Sequence, residues 1–200
     1  MVIAFGVMTP SPNTDRSARA PAPGDDVAAR GAACDVLAGV LRKHRRADDS
    51  FELAVTSLES RDRAFVRLLV ATTLRRLGQI DAVLDVFLTK KPADPIIDVL
   101  RIGAAQLLFL DTPAHAAVGT AVTLAKRYHE RLGGLVNAVL RRVAEKGPAI
   151  IGDQDAARLA TPAWLWDSWL AAYGEPVTRG TAETHLTEPP LDITVKDSAR

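Results

Sequence analysis

The sequence predicts an all-α protein, and three observations support this fold class. Apolar residues make up 48% of the 200 residues but aromatic residues only 5%, and Ala and Leu, which favour helices over strands, dominate the apolar set. Along most of the chain, apolar side chains recur every three or four positions, which is the spacing of one helix face. Asp94–Pro95 and Thr112–Pro113 each place a capping residue before a proline, a typical helix start.

The first half of the chain is predicted to hold a disordered tail and four helices. Residues 1–25 are rich in proline and small polar residues and bury too little apolar surface to fold. Ser50 and Ser60 are placed to cap the second and third helices, and Gly78 to end the third in the C′ position. The predicted helices are residues 26–43, 50–58, 60–77 and 79–88.

The second half of the chain is predicted to continue as helices separated by glycine and proline. The helix that begins at Asp94 is almost wholly apolar, and we expect Asp94, Asp98 and Arg101 to form its one edge to water. Gly133–Gly134 is predicted to separate two helices, and Gly147–Pro148 to end the compact domain. The predicted helices are residues 94–110, 112–131 and 135–146, then 150–160, 161–174 and 175–186.

The C-terminal part is predicted to be a helical linker followed by the start of another domain. Trp166 and Trp169 share a helix face while Trp164 points nearly opposite, so the three indoles do not form one stacking platform. We expect them to pack against a domain that is missing from this chain. Residues 191–195 alternate like a strand that has nothing to pair with. The predicted organisation is a disordered tail at 1–25, a compact helical domain at 26–147, and a helical linker with a truncated domain at 148–200.

Three segments carry a resemblance to a known family. They are residues 61–81, residues 113–122 with the run His-Ala-Ala-Val at 115–118, and residues 134–142 with the run Val-Asn-Ala-Val-Leu-Arg-Arg at 136–142. They resemble the N-terminal NusB-like domain of the RsmB/Sun/Fmu family of ribosomal-RNA cytosine-5 methyltransferases. Gly119–Thr120 stands where that family often has Asn-Glu.

The resemblance implies a fold and a function. The implied fold is a NusB-like bundle of two antiparallel helix groups, followed by a helical linker. The implied function is to bind small-subunit ribosomal RNA and position it for an S-adenosylmethionine-dependent methyltransferase domain in the same polypeptide. The free-standing antitermination factor NusB shares this fold but usually stops soon after the helix equivalent to 135–146, whereas the present chain continues with linker-like sequence.

No catalytic or cofactor site is predicted within the chain. Cytosine-5 methylation needs a thiolate nucleophile, and the only thiol, Cys34, is expected to be a small buried hydrophobe in the first helix. No Gly-rich loop follows a strand, so S-adenosylmethionine is expected only in the missing domain. A lone cysteine also supplies neither a disulfide nor a metal-ligand pattern. No apolar stretch is long enough to span a membrane, so we expect a cytoplasmic protein.

The candidate functional residues are cations, because arginine and lysine bind phosphate oxygens. The net charge of +1 does not indicate RNA binding by itself, but the 25 Lys and Arg residues cluster into patches. The first patch, Arg30 with the run 42–46, is preferred. The second patch is on the third helix and consists of Arg61, Arg63, Arg67, Arg75 and Arg76. The third spans residues 126–146. The predicted RNA-binding residues are Arg30, Arg42, Lys43, Arg45, Arg46, Arg75, Arg76, Lys126, Arg127, Arg141 and Arg142.

Several alternatives stay open. Each basic patch could be a solvated helix face beside acidic neighbours. His115 is interpreted as a structural histidine bonded to a neighbouring loop rather than a catalytic one, and Asn137 as an interhelical hydrogen-bonding residue. The chain could also be a stand-alone NusB-type antitermination factor, or a helical module that stabilises a methyltransferase domain without touching RNA.

Overall fold

The computed structural model describes residues 25–189, which form nine α-helices and no strand. The predicted terminal strand at 191–195 lies outside the described residues, as does the predicted tail up to residue 24. The helices are α1 (Asp25–Leu41), α2 (Ala47–Ala54), α3 (Ser60–Arg75), α4 (Leu77–Phe87), α5 (Asp94–Phe109), α6 (Ala114–Tyr128), α7 (Leu132–Gly152), α8 (Ala156–Ala160) and α9 (Ala163–His185).

The all-α prediction is confirmed, and α5 lies at the centre of the bundle. It packs against α1, α3, α4, α6 and α7, and every residue from Ile96 to Gln106 is buried. Helices α1–α3 form one group and α4–α7 the other, and both contribute to a single hydrophobic core. Because α5 is surrounded by other helices, its almost continuous apolar sequence is what its position requires.

Helices α1 and α6 run in the same direction. A Cβ at Gly31 of α1 would lie 3.7 Å from Leu124 of α6. One turn later in both helices, Asp35 is among the charges that, after burial as the larger cause, raise the pKa of Tyr128. The C-terminal ends of α1 and α6 therefore lie at the same end of the bundle.

The first half of α7 runs antiparallel to α6. Gly133 at the start of α7 packs against Lys126 and Val122 in the second half of α6. Further along α7, Asn137 and Arg141 face His115 at the start of α6 across a groove. The line of contact between the two helices, which we call the α6–α7 seam, thus extends from the last turns of α6 to its first turn.

Both predicted serine caps are wrong. Helix α2 begins at Ala47, so Ser50 lies buried inside it, and Glu59 rather than Ser60 takes the N-cap position of α3. Neither helix start has a side-chain cap hydrogen bond. A Cβ at Gly39 of α1 would overlap the Ser50 hydroxyl. The close crossing of α1 and α2 therefore determines where Ser50 lies.

The glycines predicted to end or separate helices lie within them instead. Gly78 is the second residue of α4, and a Cβ there would overlap the carbonyl oxygen of Leu159 in α8. Gly133–Gly134 belongs to the first turn of α7, and the chain reverses before it, around residues 129–131. At Gly78 and Gly133 the missing side chain allows close packing, which a sequence pattern does not distinguish from a helix stop.

The predicted domain end at Gly147–Pro148 also falls inside a helix. Helix α7 continues through both residues to Gly152, and a Cβ at Gly147 would lie 2.6 Å from the Leu108 side chain of α5. The compact helical domain and the predicted linker are therefore joined by one uninterrupted helix.

The edge of α5 that was predicted to face water is buried in part. Asp98 is 1% exposed and Arg101 8%. Arg101 donates from Nε and Nη2 to the two carboxylate oxygens of Asp81 in α4, both at 2.7 Å, and from Nη1 to Asp98 Oδ1 at 3.4 Å. Arg42, in the turn after α1, pairs with the other Asp98 oxygen at 2.6 Å. These charges form a partly buried ionic network that joins the turn after α1 to α4 and α5. Of the three residues on this edge of α5, only Asp94 is exposed.

Helices α8 and α9 form a small unit with its own core. Ala157, Trp166 and Ala182 are its buried residues, and Leu186 packs against them. Helix α9 is interrupted at Gly174, whose φ of 74° is in the left-handed region that glycine favours, in agreement with the predicted end of a helix there. Trp164 is 72% exposed while Trp166 is buried, as their opposite helix faces predicted.

The α8–α9 unit is attached to the bundle at the start of α4. Besides the contact of Gly78 with Leu159, the Gln79 side-chain amide donates to Gln154 Oε1, and the Gln154 amide donates to the Gln79 carbonyl, both at 3.2 Å. Arg76 Nη2 donates to the carbonyl of Leu186 at 3.3 Å. Within residues 25–189, no helix is both long and apolar enough for a membrane span.

Candidate nucleic-acid interface

Five exposed cations lie at the end of the bundle where α1 and α6 both finish. The turn after α1 is held by backbone hydrogen bonds from Lys43 to Ala38 and from Arg45 to Gly39. Because α1 and α6 are parallel, this turn lies at the same end as the residues that finish α6. We call this surface the basic end; its members are Lys43, Arg45, Arg46, Arg127 and Arg131.

The basic end keeps its charges available. Among the ion pairs of the described residues, none involves its five members, and all five side chains are exposed. Asp48 and Asp49 in the first turn of α2 offset part of the charge, where they are favoured by the helix dipole. An arginine-rich, solvated surface of this kind suits phosphate oxygens.

The two arginines of the first predicted patch that lie nearest the core are engaged with the protein. Arg30 is only 5% exposed. Its Nε donates to Gln106 Oε1 at 2.8 Å and its Nη1 to the Asp26 carbonyl at 2.8 Å. Burial lowers the pKa of Arg30, against the raising effect of Asp26. Arg42 is held by Asp98 in the ionic network. Arg30 is therefore buried and bonded within the protein, and Arg42, whose side chain is 30% exposed, is paired with Asp98. RNA contact by these two arginines stays a prediction.

The second predicted patch is dispersed along α3. Arg63 donates to the carbonyls of Leu58 and Thr56, and Arg67 lies over the ring of Phe51 at 4.3 Å. Arg76 is half-buried, lies 5.2 Å from the ring of Phe109, and bonds Leu186; burial and then the charge of Arg75 lower its pKa. These cations stabilise local packing and do not form one surface.

The third predicted patch is divided between two ends of the α6–α7 seam. Lys126 pairs with Glu130 at 2.8 Å beside the basic end. Arg141 is in α7, ten residues and therefore about 15 Å of helix beyond Arg131. At this position it faces the start of α6. Arg142 is exposed next to Arg141.

A groove separates the first half of α6 from α7. It has a volume of about 390 Å³ and is lined by His115, Asn137 and Arg141 around a floor of Ala114, Val118 and Ala144. Asn137 was predicted to bond between helices, but its Oδ1 accepts from Arg141 Nε of the same helix at 3.2 Å. His115 was predicted to bond a neighbouring loop; it is exposed, and the structure shows no such bond among the described residues. The sequence reasoning missed this groove.

Cys34 is a buried side chain in α1 and is not placed for nucleophilic chemistry. It is 3% exposed, and burial, followed by the charges of Asp98 and Asp35, raises the pKa of its thiol. The fraction of reactive thiolate at neutral pH is correspondingly small. Across the described part of the chain, no group of three or more His, Cys, Asp or Glu residues could hold a metal ion.

We expect Cys34 to react with dithionitrobenzoate on the order of 100-fold more slowly in the folded protein than in the urea-unfolded protein, because the reagent needs an exposed thiolate. The rate is followed by absorbance of the released thiolate. Equal rates in the two states would mean that α1 opens freely around Cys34.

Comparison with known proteins identifies the family. The model of the NusB family matches residues 27–145, which include the basic end and the groove. The chain belongs to the NusB family. A crystal structure of antitermination factors NusB and NusE in complex with double-stranded RNA shares the NusB fold with a TM-score of 0.57 at 23% identity, covering 62% of this chain and 98% of that chain.

Two relatives have a longer chain than this NusB-family protein. Ribosomal RNA small subunit methyltransferase B of Thermus thermophilus is 38% identical over 117 residues, which is 58% of this chain and 28% of the relative. The protein of the same name from Xanthomonas campestris is 34% identical over 156 residues, 74% of this chain and 34% of the relative. The chain thus spans about a third of the length of these relatives.

Proposed function

We propose that this chain binds small-subunit ribosomal RNA through the basic end and positions it for an S-adenosylmethionine-dependent cytosine-5 methyltransferase domain in the same polypeptide. The observation that carries the proposal is the basic end itself, five exposed cations with no acidic side chain paired to them among the described residues. A surface of this kind binds phosphates without catalysing any reaction.

The geometry of the basic end suits a phosphate backbone. The backbone bonds to Ala38 and Gly39, and the anchoring of Arg42 by Asp98, hold the turn that carries Lys43, Arg45 and Arg46. Arg127 and Arg131 approach from the neighbouring helix end. The planar donors of arginine then bond phosphate oxygens in pairs, which gives affinity that depends strongly on salt and weakly on sequence.

The extent of similarity favours the methyltransferase context. The match to the Xanthomonas campestris protein is longer than the stretch 27–145 matched by the NusB model, so it includes residues outside that stretch. The α8–α9 unit, which follows residue 145, exposes the large apolar side chains of Trp164, Tyr173 and Val177, and exposed apolar surface suits packing against a further domain. S-adenosylmethionine is proposed to bind in that domain, with none of the described residues contacting it.

The second candidate is a NusB-type antitermination factor that works without a methyltransferase domain. The likeness to NusB over 98% of that chain favours it. An immunoblot of cell extract with an antibody against residues 26–146 separates the two. A band much larger than a 200-residue chain supports the methyltransferase context, while a band of that size alone contradicts it and favours antitermination.

RNA binding is tested by neutralising the basic end. Replacing Lys43, Arg45, Arg46, Arg127 and Arg131 with Gln is expected to lower the affinity for a small-subunit ribosomal RNA transcript roughly tenfold or more at about 0.1 M salt. The slope of log K against log salt should fall by about 1 for each cation that contacts a phosphate. Filter binding across a salt series measures both quantities.

A matched control removes exposed cations elsewhere. Replacing Arg61, Lys90, Lys91 and Lys146 with Gln removes four positive charges from other surfaces, against five from the basic end. This control variant is expected to keep most of the salt slope of RNA binding. If both sets of substitutions weaken RNA binding equally, net charge rather than the basic end would be responsible.

A further inference from the structure

The two sequence runs that carry the family resemblance in α6 and α7 are not part of the basic end. The His-Ala-Ala-Val run at 115–118 and the Val-Asn-Ala-Val-Leu-Arg-Arg run at 136–142 instead face each other across the groove between α6 and α7. They contribute all three of its polar side chains, His115, Asn137 and Arg141. A volume of about 390 Å³ is near the lower limit for pockets that hold one small ligand.

The polar groups of the groove present hydrogen-bond donors. Because Asn137 Oδ1 accepts from Arg141 Nε, the amide orientation is set and its nitrogen keeps two hydrogens for a ligand. The Nη groups of Arg141 make no hydrogen bond to any described residue. Below them, Ala114, Val118 and Ala144 offer an apolar surface that suits a flat ring.

The groove lies on the same face of α6 as Lys126, which is beside the basic end. Lys126 lies eleven residues, or about three turns, after His115 and therefore on the same face of α6. The rise between them is about 16 Å, a distance that a few nucleotides of single-stranded RNA can cross. Gly119 lies on the open side of the groove, since a Cβ there would meet nothing within 4 Å among residues 25–189.

We infer that the groove between α6 and α7 binds one unpaired nucleotide of RNA whose backbone continues to the basic end. The base rests on the apolar floor and stacks against the Arg141 guanidinium or the His115 ring. Its acceptor atoms, such as the carbonyl oxygen and ring nitrogen of a pyrimidine, receive hydrogen bonds from the Asn137 amide and Arg141. Stacking and edge contacts of this kind are how proteins recognise unpaired bases. The inference rests on the proposed function in that RNA is the ligand.

The test uses one single-stranded RNA oligonucleotide in which each nucleotide in turn is made abasic. With the unmodified chain, one position is expected to lower affinity by about 5- to 100-fold, the loss of one stacked base. Gly119→Leu should remove this position dependence, because Gly119 lines the groove and a Cβ there enters open space, so that the rest of the new side chain would occupy the groove. Asn137→Ala should reduce the penalty as well. Both variants should keep the salt slope, since the basic end is unchanged.

Gly119→Ala is the matched control. It adds one methyl group in open space and improves helix propensity, so it should keep the position dependence and either keep or raise the thermal midpoint. Salt-dependent binding without any position dependence would overturn the inference while leaving the proposed function intact. A position dependence that persists in Gly119→Leu would likewise place the base elsewhere. Failure of the unmodified chain to bind RNA would contradict the proposed function itself.

A second measurement does not need RNA affinity. In a ¹⁵N NMR spectrum, the side-chain amide of Asn137 is expected to shift when cytidine monophosphate is added at millimolar concentration, and the shift should disappear in Gly119→Leu. An unchanged Asn137 amide, or the same shift in Gly119→Leu, would contradict a nucleotide in the groove.

Discussion

Replacing Arg101 with alanine is expected to lower the free energy of unfolding by about 3–5 kcal/mol. Arg101 is 8% exposed and makes three hydrogen bonds, two to Asp81 and one to Asp98. Its removal leaves Asp98, which is 1% exposed, with only Arg42 to compensate a buried negative charge. Asp81 also loses its bidentate partner. Urea unfolding followed by circular dichroism measures the difference.

Asp94→Asn is the control for this substitution. Asp94 belongs to the same edge of α5, but its side chain is 62% exposed and lies 3.9 Å from Arg42. Its loss should change the free energy of unfolding by no more than about 0.5 kcal/mol. A loss below about 1 kcal/mol for Arg101→Ala would show that water reaches Asp98 and that the network is not desolvated.

Gly78→Val is expected to have the second largest effect, because it separates α4 from α8. Even the Cβ of the new side chain would overlap the Leu159 carbonyl oxygen and lie 2.7 Å from its carbonyl carbon. A backbone atom cannot move aside as a side chain does, so α8 must shift. Such overpacking costs about 1–3 kcal/mol and sometimes more. The bonds between Gln79 and Gln154 adjoin this contact and should weaken with it.

The readout for Gly78→Val is limited proteolysis together with urea unfolding. Cleavage is expected to increase first around residues 153–155, the turn between α7 and α8. Gly134→Ala is the control, since that glycine is exposed in α7 and a Cβ there meets nothing within 4 Å in the described structure. It should be neutral or stabilising by up to about 1 kcal/mol. Identical cleavage of the Val variant and the unmodified chain would mean that α8 has room to adjust.

The helices were predictable because their signals are local. Each of the nine helices of the described residues overlaps a predicted one. The proline after Asp94 lies in the first turn of α5 as predicted, although Ala93 rather than Asp94 takes the N-cap position. Gly78 was misinterpreted because its role depends on Leu159, a residue 81 positions later in sequence. Glycine both ends helices and allows close contacts, and only the packing partner distinguishes the two.

The candidate site was predictable only in part for the same reason. The run Lys43, Arg45 and Arg46 is visible in the sequence, but its location at the same end of the bundle as Arg127 follows from the parallel packing of α1 and α6. Arg30 looked equivalent to the other cations until Gln106, far away in sequence, proved to be its partner. Burial by distant residues is a property of the tertiary structure, and helix periodicity does not report it.

The parallel packing of α1 and α6 also makes the basic end, the proposed RNA-binding surface, a late product of synthesis. Arg46 leaves the ribosome well before Arg127, and the turn that carries it is anchored only when Asp98 of α5 has arrived to hold Arg42. A nascent chain that ends before α6 therefore carries dispersed positive charges rather than a docking surface. RNA that binds only the folded chain would also stabilise it by mass action. At an RNA concentration about 100 times the dissociation constant, the free energy of unfolding would rise by about 2.7 kcal/mol.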